Sequence, residues 1–163
     1  MDGPVTDLLF VRHAHAGNAM GWDSPDDLRP LTAKGLRQAT RLGNLLAAAD
    51  VHPDVLLSSA RLRAVQTAEV LSAALGCAVQ LDARLADGLS LENLRQIIEE
   101  TSGAGQLLLV GHDPDFSDLV SDLVGAPIAV RKGALVRVEV EAGGVAPGAG
   151  ILRWLIPPEA LGR

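Results

Sequence analysis

Four side chains suited to phosphate chemistry stand just after apolar runs. Arg12 and His13 close the run at 8–11, Arg63 comes shortly after 55–57 by way of Ser58 and Ser59, and His112 follows 106–110 through Gly111. A short apolar run needs neither a cation nor an imidazole to end it. A phosphoryl group in transfer does need them, because its charge spreads over the equatorial oxygens and catalysis is mainly positioning and electrostatic stabilisation. Guanidinium is always charged and meets phosphate oxygens bidentately. A neutral imidazole can attack phosphorus and hold the phosphoryl group covalently. A second imidazole, protonated, can stabilise the transition-state oxygens. Arg12, Arg63, His13 and His112 supply that set, and helix N-termini after the later junctions can add backbone donors.

For these residues to meet, the runs must be strands of one sheet. Residues 8–11 read as a strand buried on both faces, with further strands at 55–57, 78–81 and 106–110. Helical patterns lie between them. The first opens with Thr32 as N-cap and carries Leu36, Ala39, Leu42, Gly43 and Leu46 on one face. The second begins near Ala60, carries Ala64, Ala68, Leu71 and Leu75, and stops at Gly76. Ser90 caps a third, with Leu91, Leu94, Ile98 and Thr101 along one face. Asp113 as N-cap and Pro114 at the first helical position start a fourth, whose face is Phe116, Leu119, Val120 and Leu123. The tail differs. Residues 134–141 alternate, a Gly-rich turn follows, and 151–156 return as a hairpin at the sheet edge.

Alternating strands and helices imply an α/β fold with a mostly parallel sheet covered on both faces. Ligands of such sheets lie beyond the carboxyl ends of the strands. The three junctions that carry Arg12-His13, Ser59 to Arg63, and Gly111-His112 are therefore expected at one edge.

Composition bounds the rest. With 163 residues, 48% hydrophobic, the chain reads as one domain over 1–163, large enough to bury about 68–70% of its unfolded surface. Aromatics are only 2%, so the core must be Leu, Val, Ile and Ala. A net charge of -6 and a pI near 5.1 argue against a general nucleic-acid or membrane-surface binder. The single cysteine, Cys77, excludes an intrachain disulfide and offers no CxxC metal pattern; between Gly76 and Ala78 it reads as a small buried hydrophobe. The opening MDGPVTD has no basic region or long apolar segment, so no signal peptide is expected. No run approaches the ~20 apolar residues of a membrane span. The expectation is a soluble, cytoplasmic protein, and a monomer, since the core accounts for every apolar face.

Other notable residues have plainer readings. His15 makes His-x-His with His13, but no Cys or carboxylate completes a metal set, and it reads as a pocket-rim residue. His52 lies in a Pro-containing turn and reads as surface. Asp23, Asp26 and Asp27 read as solvated loop charges. Arg61 reads as a solvated charge that can also orient an acidic substrate, and Arg131-Lys132 as a turn. Trp22 and Trp154 read as packing residues, with Trp22 also able to line the site mouth. Gln66 and Thr67 read as positioning the second helix.

Arg12-His13 after a buried strand, Ser59-x-x-x-Arg63-Ala64-x-Gln66-Thr67-Ala68, and Gly111-His112 together resemble the histidine phosphatase superfamily, the group that also holds the phosphoglycerate mutases. The short chain, LRPLT at 28–32 and LLLVGHDP at 107–114 most resemble its SixA-type phosphohistidine phosphatases. The resemblance runs from about residue 8 to residue 123. It implies a three-layer α/β/α sandwich, phosphoglycerate mutase-like. It implies His13 as the phosphorylated nucleophile, Arg12 and Arg63 as phosphate ligands, and His112 completing the pocket, with no cofactor and no metal.

Two departures stand out. Ala14 replaces the family's usual glycine, which is tolerable only if that backbone needs no positive φ. Larger members also supply a carboxylic acid after the third strand; the candidates here are Asp82 and Asp87, and neither is a clear acid. Imidazole leaving from phosphohistidine needs less help from an acid than an alkoxide does. With no long insertion to form a lid, an open site fits a side chain on a protein surface. The expected substrate is therefore phosphohistidine on a protein. The alternatives are a phosphatase or mutase for a small phosphate ester, and a non-catalytic phosphate-binding module.

Overall fold

The structure, a computed structural model, describes residues 4–162. Residues 1–3, part of the segment read as lacking a leader, and residue 163 lie outside the described residues. Six strands form one sheet: β1 (Val5–Arg12), β2 (Val55–Ser58), β3 (Val79–Leu81), β4 (Gln106–Gly111), β5 (Leu135–Glu141) and β6 (Ile151–Ile156). Their order is β3-β2-β4-β1-β5-β6. The first four run parallel, while β5 pairs antiparallel with both β1 and β6. The expected mostly parallel sheet with an antiparallel C-terminal edge hairpin is what forms.

Strand alternation divides the core into two layers. Leu8 and Phe10 of β1 and Leu107 and Leu109 of β4 face one apolar cluster; Leu9, Val11, Leu108 and Val110 face the other. The helices α1 (Ala33–Ala48) and α2 (Leu62–Leu75) cover the second cluster through Leu42, Leu46, Ala64, Ala68 and Leu71. On the opposite face lie α3 (Leu91–Glu100) and α4 (Asp115–Val124), through Leu94, Ile97, Phe116, Leu119 and Val120. With so few aromatics, Phe10 and Phe116 meet edge to face at 5.4 Å in the middle of the first cluster.

Three of the four caps read from the sequence form, and the fourth shifts by one residue. Thr32 accepts Gly35 N–H at the start of α1, Ser90 forms a capping box with Asn93, and Gly76 closes α2 in the left-handed region at φ 69°. Leu36, assigned to the buried face of α1, is instead half exposed, because the buried stripe continues to Gly35 at the close contact with the β1 loop. On α3 it is Ile97 that is fully buried, with Ile98 half-buried beside it. The fourth helix begins at Asp115, with Pro114 at its N-cap. Asp113 precedes the helix, yet its carboxylate still satisfies Ser117, whose N–H and hydroxyl donate to it at 3.1 and 2.6 Å. Cys77 is half-buried against the second cluster, not enclosed in it. Among the described residues no helix is long and apolar enough to cross a membrane.

Candidate active site

Strand order decides which junctions meet. Because β4 lies between β2 and β1, the residue after β4 stands between the residues after its neighbours. Main-chain bonds carry the sheet one step past its end: His13 N–H donates to Gly111 O at 2.9 Å and Ser59 N–H to Val110 O at 3.0 Å. His112 is thereby flanked on both sides. Its Nε2 lies 2.8 Å from Ser59 Oγ, and its ring centroid is 5.2 Å from that of His13. The three junctions share one edge, as the alternation of elements requires.

His13 is 5% exposed, and its Nδ1–H donates to the carbonyl of Ala14 at 2.8 Å. A carbonyl can only accept, so the ring proton is on Nδ1 and the lone pair is on Nε2. Burial, then the charges of His112, Arg63 and Arg12, lower the His13 pKa to about 3, against the opposing bond to Ala14. The imidazole is therefore neutral at neutral pH and keeps a nucleophilic nitrogen. His112 is lowered to about 4 by burial and by Arg63, Arg61 and Arg12, with Asp87 opposing. It too is neutral in the ligand-free protein, where a protonated imidazole was expected. Burial is the larger cause and the three arginines add to it; a bound dianion would offset the arginines.

The arginines are anchored through terminal nitrogens, and their Nε atoms are left without a partner. Arg12 donates through Nη1 to Val130 O at 3.0 Å and to Asp113 at 3.3 Å. Arg63 is 4% exposed and donates through Nη1 to Asp26 O at 2.9 Å and through Nη2 to the Asp26 carboxylate at 3.0 Å. Four buried side-chain polar atoms of the described residues have no partner, and three are here: Arg12 Nε, Arg63 Nε and His112 Nδ1. Buried polar atoms are almost always paired. All three belong to side chains whose charges act on one another, and the two guanidinium N–H donors suit an oxyanion. No group of three or more His, Cys, Asp or Glu side chains among the described residues is arranged to hold a metal ion.

Several site contacts were not read from the sequence. Thr67 Oγ1 accepts Ala14 N–H at 3.1 Å, and Gln66 Oε1 accepts Leu31 N–H at 2.8 Å. These residues position the loop after β1 as much as α2 itself. Ala14 is fully buried and its φ is not positive, so its methyl group is accommodated. Arg29, buried at 8% exposure, donates to Ala16 O at 2.7 Å and to Asp26 at 3.0 Å. Asp26 and Asp27 are not simply solvated: Asp26 joins Arg29 to Arg63, and Asp27 pairs with Arg61 at 3.0 Å. Arg61 is likewise no free charge, since it also holds Asp87 at 2.7 Å. Asp26 and Asp27 thus tie the loop of residues 17–29 to Arg63 and Arg61. No local signal in the sequence marks these pairs.

The acid candidates differ. Asp82 accepts Arg84 N–H and is clamped by the Arg84 guanidinium at 2.6 Å, which lowers its pKa and makes it a poor proton donor. Asp87 is exposed and reaches the site only through Arg61 and its effect on His112. His15 has Nδ1 2.7 Å from Thr32 Oγ1, and His52 is exposed and pairs with Asp50, as expected. Trp22 Nε1–H donates to Pro25 O within its own loop, and Trp154 packs under the Arg137 guanidinium at 4.4 Å.

Residues 8–101 match the family described as the histidine phosphatase superfamily (branch 1), a stretch that includes Arg12, His13 and Arg63 but stops short of His112. An uncharacterised protein of Picosynechococcus is 36% identical over 115 residues, covering 69% of each chain. Among solved structures, the protein histidine phosphatase SixA complexed with tungstate superposes with a TM-score of 0.83 at 24% identity, covering 96% of this chain and all of that one. The alpha-ribazole phosphatase of Shigella flexneri gives 0.74 at 22% identity, covering 94% of this chain and 97% of that one. Both share the fold described above.

Proposed function

The chain belongs to the histidine phosphatase superfamily (branch 1), and from that premise we propose that it is a metal-independent phosphatase that carries a phosphoryl group on Nε2 of His13. The observation that carries this reading is the bond from His13 Nδ1–H to Ala14 O, which leaves Nε2 unprotonated within reach of the charges of Arg12 and Arg63, whose Nε donors are unpaired. The Nε2 lone pair attacks phosphorus. The new N–P bond forms as the bond to the leaving group breaks, and the leaving group takes that electron pair and a proton from solvent. Water then attacks the phosphohistidine, gives up a proton, returns the electron pair to Nε2 and releases inorganic phosphate. Arg12, Arg63 and His112 stabilise the charged oxygens through both steps.

The preferred substrate in this reading is phosphohistidine on a protein. The clamped state of Asp82 supports it, since an imidazole leaving group asks least of a general acid. The protein would act as one domain over 1–163, as a cytoplasmic monomer. One observation favours the rival substrate, a small phosphate ester: the exposed Asp87 carboxylate is close enough to oppose the lowering of the His112 pKa.

The test is rapid-quench trapping in alkali with a phosphorylated histidine phosphotransfer domain and with a simple aryl phosphate, followed by mass spectrometry. Phosphate on His13 from both donors, lost faster with the protein donor, is the expected result. Labelling by the aryl phosphate alone moves the substrate to a small ester, and Asp87→Asn should then slow ester turnover. No labelling from either donor leaves a phosphate-binding module.

A further inference from the structure

Beside the site, on the Arg12 side, lies a second concavity of about 320 Å³, lined by Arg12, His15, Lys34, Arg131, Lys132 and Glu159 among others. Its walls are pinned to the end of β1. Gly133 N–H donates to the carbonyls of both Arg12 and His13 at 3.1 and 3.0 Å, which fixes Lys132 on one wall. Thr32 N–H donates to His15 O at 3.0 Å, and α1 begins at once, so its first turn presents Lys34 on the other wall. Gly35 sits so close there that a Cβ would fall 2.0 Å from His15 O.

The charges of this cleft do not balance. Glu159 is paired with Arg131 at 3.1 Å, and Arg12 is held by Asp113. Lys34 and Lys132 have no carboxylate partner among the described residues, although the chain carries 20 acidic residues against 14 Lys and Arg. Almost every other cation near the site is paired. The cations act on the titratable groups of the cleft: after burial, Lys34 and Lys132 lower the His15 pKa, and Arg12, Arg29 and Arg63 lower that of Lys132. An anion entering here offsets those charges while its neighbour on the same molecule occupies the orphaned donors beyond Arg12.

We propose that this cleft is a second anion subsite, in which Lys34 and Lys132 receive a carboxylate or second phosphate carried by the same molecule as the phosphoryl group at His13. The inference rests on the reading of the Arg12–Arg63 pocket as the phosphoryl site. Its volume suits one such group. The group comes either from a small phosphorylated metabolite or from an Asp or Glu flanking the phosphohistidine of a protein; the chemistry recognised is the same. Lys34 and Lys132 are specificity-determining residues in this reading and take no part in the bond changes.

The test uses probes that cannot turn over, read by isothermal titration calorimetry. One arm compares alkylphosphonates with ω-phosphonocarboxylates bearing one to four methylenes. The other compares short peptides carrying phosphoryltriazolylalanine flanked by Glu or by Gln. The expected result is a binding advantage of about tenfold for the probe with the extra carboxylate in at least one arm, cut to twofold or less by Lys34→Gln with Lys132→Gln. The arm with the larger advantage identifies the source. Equal affinities within both pairs, or an advantage that survives the double substitution, overturn the proposal. If His13 takes no phosphate in the trapping experiment but the lysine-dependent advantage persists, the phosphatase reading falls and the subsite stands.

Discussion

Thr67, on the first turns of α2, accepts the backbone N–H of Ala14, the residue after His13, at 3.1 Å, and both residues are fully buried. The same hydroxyl donates to Arg63 O at 2.8 Å, so one side chain ties the loop after β1 to the helix that carries Arg63. Thr67→Val keeps the volume and removes both bonds. The unpaired amide should cost about 1–3 kcal/mol in denaturant unfolding. It should lower kcat more than it raises KM, because the proposed nucleophile loses its support and the arginine keeps its charge. Thr67→Ser should restore both.

Asp26 occupies both terminal nitrogens of Arg63, by its carbonyl on one and its carboxylate on the other. It therefore orients the guanidinium while placing a negative charge beside the group proposed to hold the phosphoryl oxygens. Asp26→Asn should separate these effects. Inhibition by inorganic phosphate should strengthen several-fold as repulsion falls, while kcat drops by about tenfold as the fork loses its orientation. Steady-state kinetics with phosphate as inhibitor checks both. A parallel fall in both would contradict this account of the contact.

The two site histidines make the fold sensitive to acid. Their folded pKa values, about 3 for His13 and about 4 for His112, lie below the ordinary 6.5. Between these values and pH 6.5 the unfolded chain binds protons that the folded chain refuses. Stability should thus fall as pH drops from about 6.5, to about 4 for the His112 contribution and to about 3 for that of His13, by at most about tenfold in the folding equilibrium per pH unit per group, and the two groups should contribute no slope above 7. Urea midpoints across pH should show this, and His13→Gln with His112→Gln should flatten it. Binding of sulfate, a dianion at pH 6, should draw in up to about one proton, because it offsets the arginines that add to burial in lowering His112. Calorimetry in buffers of different ionisation enthalpy reads that uptake.

Gly111 ends β4 where Phe116 of α4 crosses it, and a Cβ there would stand 2.7 Å from Phe116 Cζ and 3.3 Å from Leu85 O. Phe116 is fully buried and cannot retreat. Gly111→Ala should cost about 1–3 kcal/mol by overpacking. Gly35→Ala should cost more, since the obstacle is the His15 backbone, despite a helix-propensity gain of about 1 kcal/mol. Denaturant midpoints should shift without a change in slope.

Much of this was legible beforehand because it is local. The apolar runs, Thr32, Ser90 and Gly76 carry their structural meaning within a few residues, and the alternation of strand and helix leaves few ways to arrange the sheet. Arg12, His13, Arg63 and His112 were readable because strand ends converge by topology. What escaped was long-range pairing. Nothing near Asp26 or Asp27 in the sequence marks them as partners of Arg63 and Arg61, more than thirty residues away. Thr67 looked like a helix residue because its hydroxyl reaches across to a loop that periodicity does not describe. Lys132 does lie in the turn its sequence predicts, but the bonds from Gly133 back to β1 that place it are tertiary.

The bond between His13 Nδ1 and Ala14 O spans a single peptide unit. The imidazole therefore selects its tautomer from its own stretch of chain, without borrowing a carboxylate from another element. Rearranging the surrounding loops, lengthening them or exchanging their charges changes what the site admits and leaves the lone pair on the same nitrogen. Reactivity and recognition in this fold are in that sense separately inherited, one written in consecutive residues and the other in the tertiary contacts around them.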